Sequence, residues 1–332
     1  MERLQTQCKA VDALTDGGLA TGTITQVFGE KALGKSILSL QTAFATAAAG
    51  NSAIILDTEQ SYSGYLLPYW EARMNKRFDK SVPVVQADGR REPKPSKKKA
   101  VSKSQLITAL STTLNQLGVS FIDSQLGALA DILSPDLKLE LDVKEPSVIV
   151  IQVPEITDLL ALHGISAGID VSEGGRVELH LRQTPVYHSI LHEIVSSTRA
   201  KLLVYDSISA PLKAIFASTQ DLPARSSSVA MILMHAQRLC IEFQIAVLAT
   251  NHVSIDPIHG WNRTPYGGAI LGHDAKFSLE LTKQGAKRNE KAEAINPEDL
   301  EELSRQVWVQ RHPAMADYSK FGYFMIGEEG MR

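Results

Sequence analysis

A stretch near the N-terminus has the residue types and spacing of a phosphate-binding loop. Residues Gly29–Ser36, GEKALGKS, fit the pattern G-x-x-x-x-G-K-[ST] and lie between a predicted strand and a predicted helix. In such a loop the backbone N–H groups converge on phosphates, the lysine reaches the β- and γ-phosphates, and the Ser hydroxyl ligates Mg²⁺. A chance match in a glycine-containing turn is the alternative, which the strand-loop-helix context disfavours. The predicted nucleotide-binding residues are Gly29, Glu30, Lys31, Ala32, Leu33, Gly34, Lys35, Ser36 and Ile37.

Two carboxylates follow predicted strands downstream of this loop. Asp206 ends the apolar run LLVY, where an acid can hold magnesium directly or through water. A strand ending in Asp also fits an ordinary turn, but the upstream loop favours magnesium, with Ser36 as the second ligand. Glu59 follows the predicted strand Ser52–Asp57, and a carboxylate there can orient and deprotonate an attacking water. On local sequence alone, Glu59 fits a helix N-cap acid equally well.

Polar residues also end a later apolar run. Asn251 and His252 close the predicted strand Gln244–Asn251, and a polar loop containing Trp261 and Arg263 follows. A polar side chain at this strand end can sense the γ-phosphate and pass its state to the loop. Nine histidines occur in the chain, but none has the spacing of metal ligands, so zinc is not predicted.

The elements that must position these residues alternate along the chain. Short apolar runs with a polar C-terminal residue are typical of strands buried on both faces of a parallel sheet, and helical patterns separate most of them. We therefore predict an α/β fold with right-handed crossovers and with ligands at the C-terminal ends of the strands. The runs after the first are Ser52–Asp57, Ser147–Val153, Lys201–Asp206 and Gln244–Asn251, and the clearest helix is Ser226–Phe243.

The region 71–146 breaks this alternation and is predicted to be an insertion. Its Pro/Lys-rich stretch Asp88–Lys103 carries seven basic and two acidic residues, and two short amphipathic helices are predicted at 102–117 and 123–133. The expected organisation is a core of 1–70 and 147–332 interrupted by this insertion. Further on, Asp170–Arg182 is predicted to form a hairpin that turns at a Gly-Gly pair.

Composition limits the classes of protein that remain. The chain has 332 residues, 44% hydrophobic and 21% charged, which excludes a fibrous or wholly disordered protein. Its net charge of −3 argues against a uniformly basic nucleic-acid coat. Two cysteines with no paired spacing indicate a reducing compartment. No apolar leader or membrane-length run is seen, so a cytoplasmic protein with no membrane partner is expected.

These motifs, in this order, resemble the RecA/RadA family of recombination ATPases, most closely its archaeal paralogues of the RadB and RadC kind. The resemblance covers most of the chain outside the predicted insertion. The matching segments are Val11–Glu30, Ile55–Tyr62, Leu202–Lys213, Leu222–Ser228, Ile245–Pro257, Gly267–Lys283 and Arg305–Arg332.

The resemblance implies a RecA-like P-loop ATPase core with a mainly parallel sheet flanked by helices, and ATP and Mg²⁺ as cofactors. Lys35 and Ser36 correspond to the Walker A residues and Asp206 to the Walker B acid. Glu59 corresponds to the family's catalytic glutamate. Lys35 is expected to be a catalytic residue as well. His273 falls where the family brings a histidine toward the nucleotide of a neighbouring subunit.

Two segments correspond to the family's DNA loops, 207–225 and 254–266. In the family these loops face the filament axis and hold single-stranded DNA largely through its backbone, so binding is expected to be weakly sequence-specific and salt-sensitive. The candidate DNA-binding residues are Arg225, Trp261 and Arg263.

The chain also departs from the family pattern. A helix-hairpin-helix domain and a polymerisation segment are not expected ahead of the core, and filament assembly by this chain alone is therefore not expected. In the loop, Ala32 and Leu33 replace the usual small Gly-Ser/Thr pair, and a Cβ at a position that can require positive φ is expected to distort the cradle and slow turnover. His252 replaces the family's Gln after Thr-Asn.

The leading expectation is a nucleoid-associated recombinase paralogue that binds ATP and DNA. It would hydrolyse ATP slowly, in a DNA-dependent manner, and assist or regulate a RadA-type recombinase or other repair proteins, either as a single chain or as a homo-oligomer. The alternative is a KaiC-like signalling ATPase that acts on protein partners without DNA, which the lopsided charge of the insertion would suit. A third hypothesis is a nucleotide-locked scaffold that binds ATP without hydrolysing it.

Overall fold

A computed structural model describes residues 2–62, 66–89, 141, 143–171, 177–183, 189–215, 222–255, 263–266, 271, 274–286, 288–296 and 304–332. The helices in these ranges are α1 Lys9–Leu14, α2 Lys35–Ala48, α3 Leu66–Phe78, α4 Ile156–Leu162, α5 Ile190–Thr198, α6 Ala210–Ile215 and α7 Leu222–Phe243. The strands are β1 Arg3–Leu4, β2 Leu19–Ala20, β3 Ile24–Gly29, β4 Ser52–Asp57, β5 Val84–Asp88, β6 Val148–Gln152, β7 Ile165–Val171, β8 Val177–Gln183, β9 Ala200–Asp206, β10 Ala246–Ile255, β11 Arg263–Pro265, β12 Phe277–Lys283, β13 Glu293–Ala294, β14 Arg305–Arg311, β15 Lys320–Phe324, β16 Ile326–Gly327 and β17 Gly330–Met331.

The apolar runs lie at the centre of one large, mainly parallel sheet. Its order is β13-β15-β14-β12-β3-β10-β9-β4-β6-β5, and β11 adds to β10. All neighbours from β12 to β5 are parallel, whereas β14 is antiparallel to both β12 and β15. The predicted α/β class with a mainly parallel sheet flanked by helices is therefore confirmed.

Helices cover both faces of this sheet, which is why its central strands are continuously apolar. Ile55 and Val204 point into one core layer, under α2 and α3, whereas Ile54 and Leu203 point into the other, under α4, α5 and α7. All four side chains are fully buried. Burial of each such aliphatic side chain stabilises the fold by about 1.5–3 kcal/mol.

The predicted strands and the predicted hairpin are present, with small shifts at their ends. β10 begins two residues later than expected, because Gln244 has a φ of 51° that interrupts an extended chain. Helix α7 begins four residues earlier than the predicted 226. Strands β7 and β8 pair antiparallel and correspond to the two arms of the predicted hairpin, whose predicted Gly-Gly turn lies outside the described residues.

The predicted boundary at residue 71 falls inside α3, and β5, which follows, is the edge strand of the main sheet. Residues 66–89 are thus continuous with the core. The helices predicted at 102–117 and 123–133 lie outside the described residues, so an insertion between β5 and β6 stays a prediction. Among the helices described, none combines the length and apolar character needed to cross a bilayer.

Candidate nucleotide and metal site

The candidate site lies where the strands β3, β4 and β9 end and where the pairing of β10 with β3 stops, at His252. Strand β10 itself continues to Ile255, four residues beyond the predicted end at Asn251. In the registers of the sheet, His252 on β10 is opposite Gly29 on β3, and Asp57 on β4 is opposite Asp206 on β9. Because the strands are parallel neighbours, their C-terminal ends meet at one edge, which is where open α/β sheets bind ligands. Most of the residues singled out in the sequence therefore converge here.

The loop between β3 and α2 has two residues with positive φ. Gly34, at the N-cap of α2, has a φ of 100°, and a Cβ there would lie 2.6 Å from Ile326 Cδ1, so the position needs glycine. Ala32 has a φ of 62° and is exposed, and its Cβ makes this left-handed backbone conformation strained. Leu33 is buried in the core, and Ser36 and Ile37 belong to the first turn of α2.

Lys35 is folded back onto its own loop. Its Nζ donates hydrogen bonds to the carbonyl oxygens of Gly29, at 3.0 Å, and Glu30, at 2.7 Å. Burial lowers the pKa of Lys35, and the negative charges of Glu59 and Asp206 oppose that shift. The ammonium thus lies against two loop carbonyls and within the electrostatic influence of two carboxylates, in a position to exchange neutral acceptors for charged phosphate oxygens.

Asp206 is a buried carboxylate held on both oxygens. Oδ1 accepts a 2.6 Å hydrogen bond from Thr250 Oγ1, and Oδ2 accepts one from the Tyr62 hydroxyl at 2.5 Å. Burial raises the pKa of Asp206, and the hydrogen bonds from Thr250, Tyr62 and the Ser36 side chain lower it. A Ser hydroxyl beside a carboxylate is a pair of hard oxygen donors, which fits a magnesium ion.

Glu59 is fastened by two side chains at one of its oxygens. Oε1 accepts hydrogen bonds from Ser207 Oγ, at 2.5 Å, and from the His252 ring at Nε2, at 2.7 Å. These contacts, led by that from His252, lower the pKa of Glu59 to about 2 against the effect of burial. Glu59 is therefore ionised near neutral pH, suited to orienting a water and weak as a general base.

Asn251, in the middle of β10, is hydrogen-bonded to Tyr266, whose ring lies beside two cationic side chains. Its Nδ2 donates to the Tyr266 carbonyl at 2.8 Å, and its Oδ1 accepts from the His252 backbone N–H at 2.8 Å. The Tyr266 ring is contacted by Lys213 Nζ, 4.6 Å from its centroid, and by Arg225 Cζ, 4.4 Å from it. Arg225 thus lies near the strand ends, on α7.

The side chains of the other predicted DNA-binding and sensing residues lie outside the described part of the chain. Trp261 and His273 lie outside the described residues. Arg263 begins β11, antiparallel to β10, and its side chain is likewise outside the description. Their predicted roles stay predictions.

Three residues that hold the carboxylates have no motif of their own: Tyr62, Thr250 and Ser207. Thr250 and Ser207 adjoin the predicted residues Asn251 and Asp206, so proximity in sequence could have suggested them. Tyr62 lies three residues beyond Glu59, and nothing in the local pattern separates it from a core aromatic residue.

A comparison with family models matches the Rad51 family at residues 1–65 and 174–309. Among curated proteins, the chain is 40% identical over 85 residues to the DNA repair and recombination protein RadB of Halobacterium salinarum, covering 26% of this chain and 36% of that protein. It is 50% identical over 58 residues to RadB of Methanoculleus marisnigri, covering 18% and 26%. It is 32% identical over 88 residues to the human meiotic recombination protein DMC1/LIM15 homolog, covering 25% and 26%.

These alignments span little more than a third of those relatives at most. Among solved structures, a crystal structure of the RadB recombinase superposes with a TM-score of 0.49 at 17% identity, over 99% of this chain and 98% of that one.

Proposed function

The chain belongs to the Rad51 family, and from that premise we propose that it is an ATP-binding recombinase paralogue with slow Mg²⁺-dependent ATPase activity. It acts on DNA and assists or regulates a RadA-type recombinase in repair, in the cytoplasm. The observation that carries the proposal is the convergence of Lys35, Ser36, Glu59 and Asp206 at one edge of the parallel sheet.

Each of these residues has a distinct task in the proposed reaction. Loop N–H groups and the Lys35 ammonium would bind the β- and γ-phosphates, because the loop leads directly into the N-terminus of α2, where unpaired N–H groups favour anions. Ser36 and Asp206 would hold magnesium, which when bound neutralises phosphate charge. Glu59 accepts a hydrogen bond from the attacking water and orients it toward the γ-phosphate.

Two features support slow turnover. Glu59 Oε1 is occupied by Ser207 and His252, and its pKa of about 2 makes it a poor proton acceptor near neutral pH. Ala32 holds a left-handed backbone in the loop that must close around the phosphates. Because Ser207 and His252 already donate to Glu59, the carboxylate is less free to accept a hydrogen bond from the attacking water.

Binding to DNA is proposed through 207–225 and 254–266. Lys213 and Arg225, which both contact the Tyr266 ring, support it because they place positive charge near the part of β10 that carries Asn251 and His252. In this proposal, nucleotide state reaches the DNA segment through Asn251, whose amide is bonded to the Tyr266 carbonyl. The helper role predicts that the purified protein alone does not catalyse robust strand exchange, and robust exchange would overturn it.

Phosphate release by Glu59→Gln tests the catalytic assignment. We expect the variant to bind a fluorescent ATP analogue as the wild type does and to release phosphate more slowly, because a neutral amide orients the attacking water less well than a carboxylate does. The loss should be smaller than the roughly 100-fold contribution of a proton-transferring group, since Glu59 is a poor proton acceptor. The matched control is Glu242→Gln. Glu242 on α7 is paired with His192 on α5 at 2.9 Å, so this variant also removes a carboxylate from a Glu–His pair, but away from the candidate site. Equal rates in wild type and Glu59→Gln would leave Glu59 without a catalytic role.

A further inference from the structure

The Tyr62 hydroxyl is a buried polar group whose partners all belong to the candidate metal site. Tyr62 is 2% exposed, and its ring packs in the core layer under α2 and α3. Its hydroxyl lies 2.5 Å from Asp206 Oδ2 and 2.9 Å from the carbonyl oxygen of Ser36. Phenylalanine would pack in the same space, and burying a hydroxyl costs free energy unless it is hydrogen-bonded, so the hydroxyl is explained by these polar contacts.

The chain fixes Tyr62 in this position through the turn that follows β4. The two oxygens of Asp57 accept hydrogen bonds from the backbone N–H groups of Ser61, at 2.9 Å, and Tyr62, at 3.0 Å. Asp57 is itself fully buried at the end of β4, directly opposite Asp206 on β9. The turn that follows β4, the strand next to β9, thus directs the Tyr62 phenol toward Asp206.

The Asp206 carboxylate has its orientation set by donors on two sides. Thr250 on β10 donates to Oδ1 and Tyr62 donates to Oδ2, at 2.6 and 2.5 Å. A carboxylate held in this way cannot rotate about its Cβ–Cγ bond without breaking one of the two contacts. Removal of a partner that orients a metal-binding carboxylate lowers the metal affinity by about 10–100-fold.

We propose that Tyr62 is a positioning residue that orients the Asp206 carboxylate for magnesium and links it to the first turn of α2. The proposal rests on the proposed function, because it assumes that Ser36 and Asp206 hold the magnesium of a bound nucleotide. The phenol has a single proton, so it serves either Asp206 or the Ser36 carbonyl as donor at any moment. Movement of the first turn of α2 toward phosphate therefore changes the hydrogen bond that Asp206 receives.

The test is a magnesium titration of nucleotide binding by Tyr62→Phe. A fluorescent ADP analogue is bound to wild-type and variant protein in EDTA and at increasing Mg²⁺ concentrations. We expect the Mg²⁺ concentration for half-maximal effect to rise at least about tenfold in the variant, with affinity in EDTA unchanged. Tyr205→Phe is the matched control, because Tyr205 belongs to the other core layer and its buried hydroxyl is hydrogen-bonded to His163 at 3.2 Å.

Thr250→Val gives a second, independent measurement should Tyr62→Phe fail to fold. It removes the donor at the other Asp206 oxygen, so it too should raise the Mg²⁺ requirement. An unchanged Mg²⁺ requirement in either folded variant overturns the positioning role, as does an equal loss of affinity in EDTA and in Mg²⁺. A wild-type protein that binds no nucleotide, or binds it without regard to Mg²⁺, overturns the proposed function itself, so the two failures are distinguishable.

Discussion

At the scale of single residues, the contact between His252 and Glu59 decides the charge of the site. His252 supplies the hydrogen bond that contributes most to the low pKa of Glu59. An acid whose pKa falls on folding stabilises the folded state at pH values above its ordinary pKa of 4.5, and this contribution is lost as the pH falls toward about 2. The same contact keeps Glu59 ionised and engages its Oε1 in a hydrogen bond with the His252 ring.

His252→Ala should therefore raise the pKa of Glu59, because burial then acts against a weaker set of hydrogen bonds. We expect the acidic limb of the pH dependence of ATP hydrolysis to move to higher pH, since Glu59 must be ionised to orient water. The readout is kcat measured over a pH series. His192→Ala serves as the control, because its ring is bonded to Glu242 at 2.9 Å on another part of the surface. An unmoved acidic limb would contradict the assignment.

In the phosphate-binding loop, two small residues are expected to respond in opposite directions. Ala32→Gly should raise the free energy of unfolding by up to about 1 kcal/mol, because a left-handed backbone is strained for Ala and the gain exceeds the added freedom of the unfolded chain. Gly34→Ala should lower it by at least about 1 kcal/mol, since φ is 100° and the new Cβ would meet Ile326. Urea unfolding measures both, and a shift of the same sign in both would contradict this account.

At the scale of elements, the C-terminal pair β16–β17 is fastened to α2, beside the loop. Gln41 of α2 donates from Nε2 to the carbonyls of Thr6, at 2.8 Å, and Met331, at 3.1 Å. Its Oε1 accepts from the Met331 N–H at 2.8 Å and from Arg77 Nη1 at 2.9 Å. One buried amide thus joins the two ends of the chain to the helix that begins at Lys35.

Gln41→Met should lower the free energy of unfolding by about 2–4 kcal/mol, because it leaves the buried N–H of Met331 and the carbonyl of Thr6 without this partner. The exposed Gln5→Met is the control, for which a change within about 0.5 kcal/mol is expected. Chemical denaturation with a fluorescence readout measures both. Equal effects would mean that the amide does not fasten the C-terminal strands.

At the scale of the whole molecule, the net charge of −3 requires DNA affinity to come from where positive charge is placed. Arg225→Ala should weaken binding of single-stranded DNA and reduce the slope of log affinity against log salt by about one, as expected for one lost phosphate contact. Arg238→Ala, an exposed position on the same helix, should leave that slope unchanged. Fluorescence anisotropy of a labelled oligonucleotide at several salt concentrations provides the measurement, and an unchanged slope for Arg225→Ala would remove Arg225 from the DNA surface.

Features that depend on a short stretch of consecutive residues could be predicted from the sequence. The loop motif that contains Lys35 and Ser36, the apolar runs of the sheet and the acid at the end of β9 each depend on a period or spacing within a short stretch. The parallel α/β class followed from them, because strands buried on both faces have that apolar pattern. The division at residue 71 did not match the elements, since α3 and β5 carry weaker patterns than the central strands do.

The sequence by itself determined that this chain carries a phosphate-binding loop within a parallel α/β sheet and that it resembles the recombination ATPases. Only the tertiary structure decided how the carboxylates are held. Tyr62 meets Asp206 across 144 residues, and Glu59 meets His252 across 193. Such contacts depend on which strands become neighbours and in what register, and no local pattern encodes that, because strand order comes from the packing of the whole sheet.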